Sequence, residues 1–331
     1  MAGRTGALGS LMGLGDQIMA SGLARGAAAR GKRIALGDGR RIVWEKTSFD
    51  IFRGNPNVAP PGSEGAPDLE WLAYYKGHRL YNRRVGDRWV WNLSFRAKPG
   101  EIFFDAAETA AGMRHGESFV VVEPQSAQWK TVAPNKDWGV ANFQAVADRL
   151  RGLGLRVVQF RSEQSPVALR NVEQLATTSF RDALAILARA SLYIGAEGGL
   201  HHGAAAVGIP AVVLFGGFIP PAVTGYSTHT NLTGGAQACG SLKPCKHCRA
   251  ALAGITIDDV FNAALRQLSS PLVGEDSKAR REAPLAALGE GCLGSACADP
   301  SPRSPIASAS PWRGELSSPI RGEEEIGAVH G

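Results

Sequence analysis

Hydrophobic and polar positions divide the chain into an irregular first third and a regular middle. From Glu117 onward, apolar runs alternate with helical spacings. Phe119–Val122 is a continuous apolar run, Val140–Leu153 repeats at helical spacing, and Arg156–Phe160 is strand-like again. Ser179–Ala190 predicts a helix opening on Ser179, Leu192–Gly195 a strand, Leu200–Val207 a helix and Ala211–Phe215 a strand. A last helix is predicted over Thr256–Leu268, capped by Thr256, with Asp258 and Asp259 in the first turn where acids complement the helix dipole. Parallel strands need crossover connections, so this alternation predicts a doubly wound α/β domain with helices on both faces of the sheet.

Before residue 115 the pattern predicts a helix from Asp16 to about Arg30 and short strands at Arg33–Leu36 and Arg41–Trp44. A loop with four prolines follows between Asn55 and Pro67, and Trp89–Phe95 alternates like a half-buried strand flanked by arginines. After Leu268 the chain turns to Ser, Pro, Gly and Ala, a composition that buries too little surface to offset its ordering entropy. A six-residue unit recurs there, as in Ser310-Pro311-Trp312-Arg313-Gly314-Glu315 and Ser318-Pro319-Ile320-Arg321-Gly322-Glu323. Its period is far below that of stacked repeat folds. The expected organisation is an N-terminal domain over 1–115, a C-terminal domain over 116–268 and a disordered tail over 269–331.

Composition sharpens this picture. With 44% apolar and 20% charged residues the chain is globular in type, and it lacks a run of the roughly 18 apolar residues that a membrane span needs. No secretory h-region is evident near Met1, and five cysteines, an odd count, do not make a disulfide framework. A cytoplasmic location is expected. Residues 269–331 hold 6 basic and 9 acidic side chains, leaving 30 and 21 in residues 1–268, a formal charge of +9 on the folded part. Such a surface attracts phosphates of any kind. The arginine-rich stretch Tyr74–Arg96 carries no nucleic-acid-binding motif, so no nucleic-acid partner is expected.

The chemistry concentrates in Gly195-Ala196-Glu197-Gly198-Gly199-Leu200-His201-His202, where a strand ends, glycines turn the chain and a helix of small residues starts. Glycines let a ligand approach the backbone, and the amides and dipole of a helix start favour an anion such as a diphosphate. A tight turn without a ligand would have the same glycines. His202 beside them points to donor contact, whereas a buried histidine bonded to backbone is the plainer alternative. The Cys245-Lys246-His247-Cys248 hook has only Cys239 for company, short of the paired hooks of a structural zinc site. Neither a metal nor a cofactor is expected.

The same segment resembles the C-terminal motif of the ADP-heptose:lipopolysaccharide heptosyltransferases, glycosyltransferase family 9. Lys136-Asp137-Trp138 resembles the family's Lys-x-Trp, Gly208-Ile209-Pro210 and Leu214-Phe215-Gly216 match its following motifs, and Asn55-Pro56 resembles a first-domain turn. The cysteine hook before Ile257-Asp258-Asp259-Val260 resembles the family's closing turn and helix. Glu197 stands where the family usually has Asp, and Gly198 where it has Ser or Thr.

The resemblance implies a GT-B fold, two facing Rossmann-like domains with the N-terminal one abbreviated. It implies an inverting, metal-independent glycosyltransferase that moves a sugar, with heptose the first candidate, from a nucleotide-sugar donor to a lipopolysaccharide-core or other glycan or lipid-linked acceptor. Peripheral contact with the cytoplasmic face of the inner membrane goes with such an acceptor. Asp16, in Gly13-Leu14-Gly15-Asp16, matches the family's base, although Asp is equally a favoured helix cap. Ser126, Lys136, Glu163, Glu197, Gly198, Gly199 and His202 are the implied donor-binding residues. A non-catalytic GT-B-like protein that binds a nucleotide or sugar-phosphate is the alternative.

Overall fold

Strands form in the second half where the apolar runs are, and their alternate side chains divide between two packed faces. The structure, a computed structural model, describes residues 13–73, 80–124, 132–162, 165 and 167–270, all within one compact unit. The predicted tail lies outside the described residues, apart from Ser269 and Ser270. The first half contains α1 (Leu14–Ala28), β1 (Arg33–Gly37), α2 (Lys46–Phe52), β2 (Leu69–Ala73), β3 (Asn82–Val85), β4 (Arg88–Trp91) and α3 (Ala106–Met113). The second contains β5 (Phe119–Glu123), α4 (Val140–Gly152), β6 (Arg156–Arg161), β7 (Glu173–Ala176), α5 (Phe180–Leu187), β8 (Leu192–Ala196), α6 (Gly199–Ala206) and β9 (Ala211–Leu214). It closes with α7 (Pro221–Thr224), β10 (His229–Leu232), α8 (Lys246–Ala253) and α9 (Ile257–Ser269).

The second half is a six-stranded parallel sheet in the order β10-β9-β8-β5-β6-β7. The chain leaves β5 toward β6 and β7, then returns to the other side of β5 for β8, β9 and β10. The switch between β5 and β8 opens a crevice beyond their carboxyl ends, where doubly wound sheets hold ligands. Phe119, Val121, Tyr193, Val213 and Phe215 face the core shared with α1, α5 and α6. Val120, Val122, Ile194, Val212 and Leu214 face the opposite core, which α4 and α9 cover. The doubly wound reading is thus borne out, with the four predicted strands as β5, β6, β8 and β9, while the edge strands β7 and β10 were not predicted.

The first half is smaller: β1 and β2 pair in parallel, β3 and β4 form an antiparallel hairpin, and α1 packs against α6. The expected strand over Arg41–Trp44 does not form. Asp38 Oδ1 accepts the amides of Arg40 and Arg41 at 2.9 and 2.7 Å, folding a tight turn that leaves Ile42 a single bridge to Gly37. The strand expected over Trp89–Phe95 ends at Trp91, because the Asn92 carboxamide accepts the Ser94 amide at 3.0 Å and turns the chain.

Arg181 of α5 ties the halves together. Its guanidinium is 4% exposed, meets both carboxylate oxygens of Glu108 at 2.6 and 2.9 Å, and donates to the carbonyls of Asp50 and Phe103. Removing the arginine leaves Glu108 with only the largely exposed Arg53 as a cation partner and leaves the two carbonyls without their donor. Arg181→Ala should therefore lower unfolding stability by about 3–5 kcal/mol in a denaturant titration. A loss no larger than that of a surface arginine would contradict this role.

Candidate functional site

The crevice at the strand switch opens into a cavity of about 900 Å³ whose walls come from both halves of the chain. Glu123 follows from β5, Glu197 and Gly198 from β8, Gly199 and His202 belong to α6, and Asp16 stands in the first turn of α1. The cavity brings Asp16, Lys136, Glu197, Gly198, Gly199 and His202 together. Ser126 and Glu163 lie outside the described residues.

Glu197 is the electrostatic centre. Its carboxylate is buried, paired with the Lys136 ammonium and 3.4 Å from His202 Nε2, while Lys136 Nζ also donates to the Glu197 carbonyl at 3.2 Å. Burial by itself would raise the carboxyl pKa, but the Lys136 charge and the His202 hydrogen bond outweigh it and hold the group well below its ordinary range. His202 Nδ1 lies 2.8 Å from the Tyr226 hydroxyl, which extends the chain of polar contacts behind the cavity. Asn135 positions the lysine's own segment. Its carboxamide donates to the carbonyls of Ser241 and Lys243 at 3.0 and 2.9 Å and accepts the Cys245 amide at 2.8 Å.

The glycines have different duties from those expected of them. A Cβ on Gly195 would lie 2.2 Å from the Tyr193 hydroxyl, so this glycine makes room for a neighbouring side chain and not for a ligand. Gly198 is extended, with φ 167°, and a Cβ there would meet nothing within 4 Å, so its backbone is open toward the cavity. The first amides of α6 follow it, donors that a helix leaves without intrahelical partners. Gly15 lets α1 approach α6: a Cβ would stand 2.6 Å from His202 Cδ2.

Asp16 serves its helix as well as the cavity. Oδ2 accepts the Gly13 amide at 3.0 Å, closing the start of the helix, and Oδ1 accepts the Tyr81 hydroxyl. The residue is 5% exposed. Tyr81, Asn82, Trp89 and Trp91 from the β3–β4 region line the same cavity and were missed by sequence reasoning. Their signal was present in the alternation of Trp89 and Trp91, which was read only as a strand beneath arginines.

Two groups have spacing that could hold a metal among the described residues: Glu197, His201 and His202, and Cys239, Cys245 and Cys248. Cys239 Sγ is 3.3 Å from Cys248 Sγ and 3.9 Å from Cys245 Sγ. His247 stands apart from these thiols, its Nε2 2.8 Å from the Gln237 carbonyl.

A doubly wound sheet with a helix start and a lysine at one wall of a cleft, and a second α/β half at the other, is the architecture of a GT-B fold. Residues 101–251 match the family described as glycosyltransferase family 9 (heptosyltransferase). Among solved structures, the glycosyl transferase family 9 from Veillonella parvula DSM 2008 is 15% identical, covering 78% of this chain and 95% of that one at a TM-score of 0.55. This likeness shows the fold. The iron-containing dodecameric glycosyltransferase TibC from enterotoxigenic E. coli H10407 is 17% identical over 78% of this chain and 76% of that one, with a TM-score of 0.49. The E. coli heptosyltransferase WaaC with ADP is 17% identical over 46% and 44%, with a TM-score of 0.35. No curated protein matches significantly. Among the described residues no helix is long and apolar enough to cross a membrane.

His201, behind the cavity, is fully buried with neither ring nitrogen hydrogen-bonded, and it packs against Phe215, Tyr226 and His229. Burial pushes its pKa well below 6.5 and that of His229 down to about 4, so both are neutral in the folded protein at neutral pH. The unfolded chain takes up protons below about pH 6.5 that the folded one refuses, so stability is full above that value and falls as the pH drops. His201→Leu should shrink the loss measured by urea titration between about pH 7.5 and about pH 5.5 by about 1 kcal/mol. An unchanged pH dependence would count against a neutral His201.

Proposed function

We propose that the cavity binds a nucleoside-diphosphate sugar against the start of α6 and that Asp16 accepts the proton of an acceptor hydroxyl. The observation that carries this reading is that Asp16 and the Lys136–Glu197–Gly198 group line one cavity. The hydroxyl oxygen of the acceptor attacks the anomeric carbon from the face opposite the leaving group. The bond from that carbon to the diphosphate oxygen breaks, and the nucleoside diphosphate departs with the electron pair. The hydroxyl proton passes to Asp16, and the configuration inverts. Lys136 and the α6 amides neutralise the departing charge, which supplies by fixed dipoles what a bound cation supplies in other transferases.

On this reading residues 1–115 are the acceptor side and 116–268 the donor side, with His202 contacting the donor. An ADP-linked heptose and a lipopolysaccharide-core acceptor are the first candidates, following the family and the ligand printed for WaaC. The work would be done in the cytoplasm, at the inner face of the membrane.

A thermal-shift series with ADP, UDP, GDP and CMP tests the donor half. One nucleotide should raise the Tm of the wild type, and Lys136→Ala should weaken that binding by about tenfold or more. If no nucleotide stabilises the wild type, the donor reading fails. Asp16→Asn, which keeps the size of the side chain, should leave nucleotide binding within about threefold while lowering transfer by about 100-fold or more. Retention of transfer by Asp16→Asn would remove Asp16 as the base.

A further inference from the structure

We propose that the β3–β4 hairpin is a sugar-ring platform, the subsite that holds the acceptor's terminal pyranose beside Asp16. The inference rests on the donor reading above and adds to it the chemistry of the second substrate.

The register of the hairpin sets its two faces. Asn82 stands opposite Trp91 and Arg84 opposite Trp89, and residues directly opposite share a face. Asn82, Trp89 and Trp91 line the cavity, whereas Val85 and Val90, on the other face, are exposed. The Tyr81 ring stacks on Trp91 with 6.2 Å between centroids and an interplanar angle of 1°, and its hydroxyl donates to Asp16. The aromatic surface is therefore joined directly to the proposed base.

The Asn82 side chain, 6% exposed, carries an oxygen with no hydrogen-bond partner, and the Trp91 Nε1 proton is likewise unused. Buried polar groups are ordinarily satisfied, and an orphaned acceptor at a cavity wall asks for a donor from a ligand. A sugar meets both features at once. Its hydroxyls supply the hydrogen bonds, and the C–H groups of one ring face lie against the negative faces of the indoles. The unpaired Asn82 atom is an acceptor, so it suits a hydroxyl, which can donate to it, better than an ionised phosphate or carboxylate, which cannot. The cavity's 900 Å³ lies near the upper end for a single small-molecule pocket, which leaves room for a second ring beside a nucleotide.

The platform is also held in place. The Trp89 amide donates to the Gly240 carbonyl at 2.8 Å, Arg88 Nη1 to the Cys239 carbonyl at 2.9 Å, and the Leu242 amide to the Asp87 carbonyl at 2.9 Å. Gly240 has φ 65°, and a Cβ there would lie 2.2 Å from the Trp89 carbonyl, so the segment that braces the hairpin needs glycine. Asn135 ties that segment in turn to the turn bearing Lys136.

Saturation-transfer NMR on the full chain tests this with methyl α-D-glucopyranoside, methyl α-D-mannopyranoside and methyl β-D-galactopyranoside. Each is added at about 10 mM, enough to fill a site of roughly millimolar Kd. At least one should receive saturation on the protons of one ring face, with the signal kept when ADP is added. Trp89→Ala and Asn82→Ala should each weaken it about tenfold, and Trp89→Phe should retain it. The ADP thermal shift, run on the same samples, reports whether each variant is folded and keeps its donor site. The platform is refuted if the wild type shows the ADP shift but binds none of the three glycosides. It is equally refuted if ADP displaces them, which would make the indoles a nucleobase site, or if both alanine variants bind as the wild type does. Absence of a shift with any of the four nucleotides from the wild type, with glycoside binding intact, sinks the donor reading and leaves the platform standing.

Discussion

The buried charge of Glu197 is the constraint on which the site depends. A carboxylate removed from water is costly unless charge and hydrogen bonds replace the lost solvation. Lys136 and His202 supply them from two different elements. Satisfying this one group therefore fixes the end of β8, the first turn of α6 and the segment before α4 relative to one another. Tyr226 and Asn135 extend the arrangement to the loops behind the cavity. The site is stiff because its charges share partners, and a change at any one of them is felt by the others.

Close approach is the second organising feature. Gly15 brings α1 onto α6, and Gly195 leaves space for the Tyr193 ring, whereas Gly198 keeps its surface toward the cavity. Glycines that look alike in a motif thus do separate work: one sets the distance between helices, one accommodates a side chain, and one exposes backbone. A small-residue helix such as α6 is what allows the first half of the chain to lie directly against the second.

The second half was legible because its strands are buried on both faces and so appear as apolar runs, from Phe119–Val122 to Ala211–Phe215. The strands that escaped notice are of another kind. Glu173–Ala176 and His229–Leu232 are sheet edges with polar residues, and Leu69–Ala73 follows a proline-rich loop, so none has an uninterrupted apolar signature. The Glu197–His202 cluster could be found because its residues are neighbours in sequence. The partnership of Asp16 with Tyr81, 65 residues away, could not, since nothing local in either segment encodes the meeting. Trp89 and Trp91 were visible as a pattern, but their orientation toward the cavity follows from the pairing of Trp91 with Asn82, which is a property of the folded hairpin.

The Arg181 bracket has a mechanical consequence. It fastens α5 to α2 and α3 at one side of the molecule, and pulling these apart would break the two-point pairing of Arg181 with Glu108, leaving the carboxylate only the largely exposed Arg53 as a cation partner. A cleft that must admit one substrate and release another cannot widen by straight separation against such a fastening. An opening that leaves the bracket intact costs less than one that breaks it.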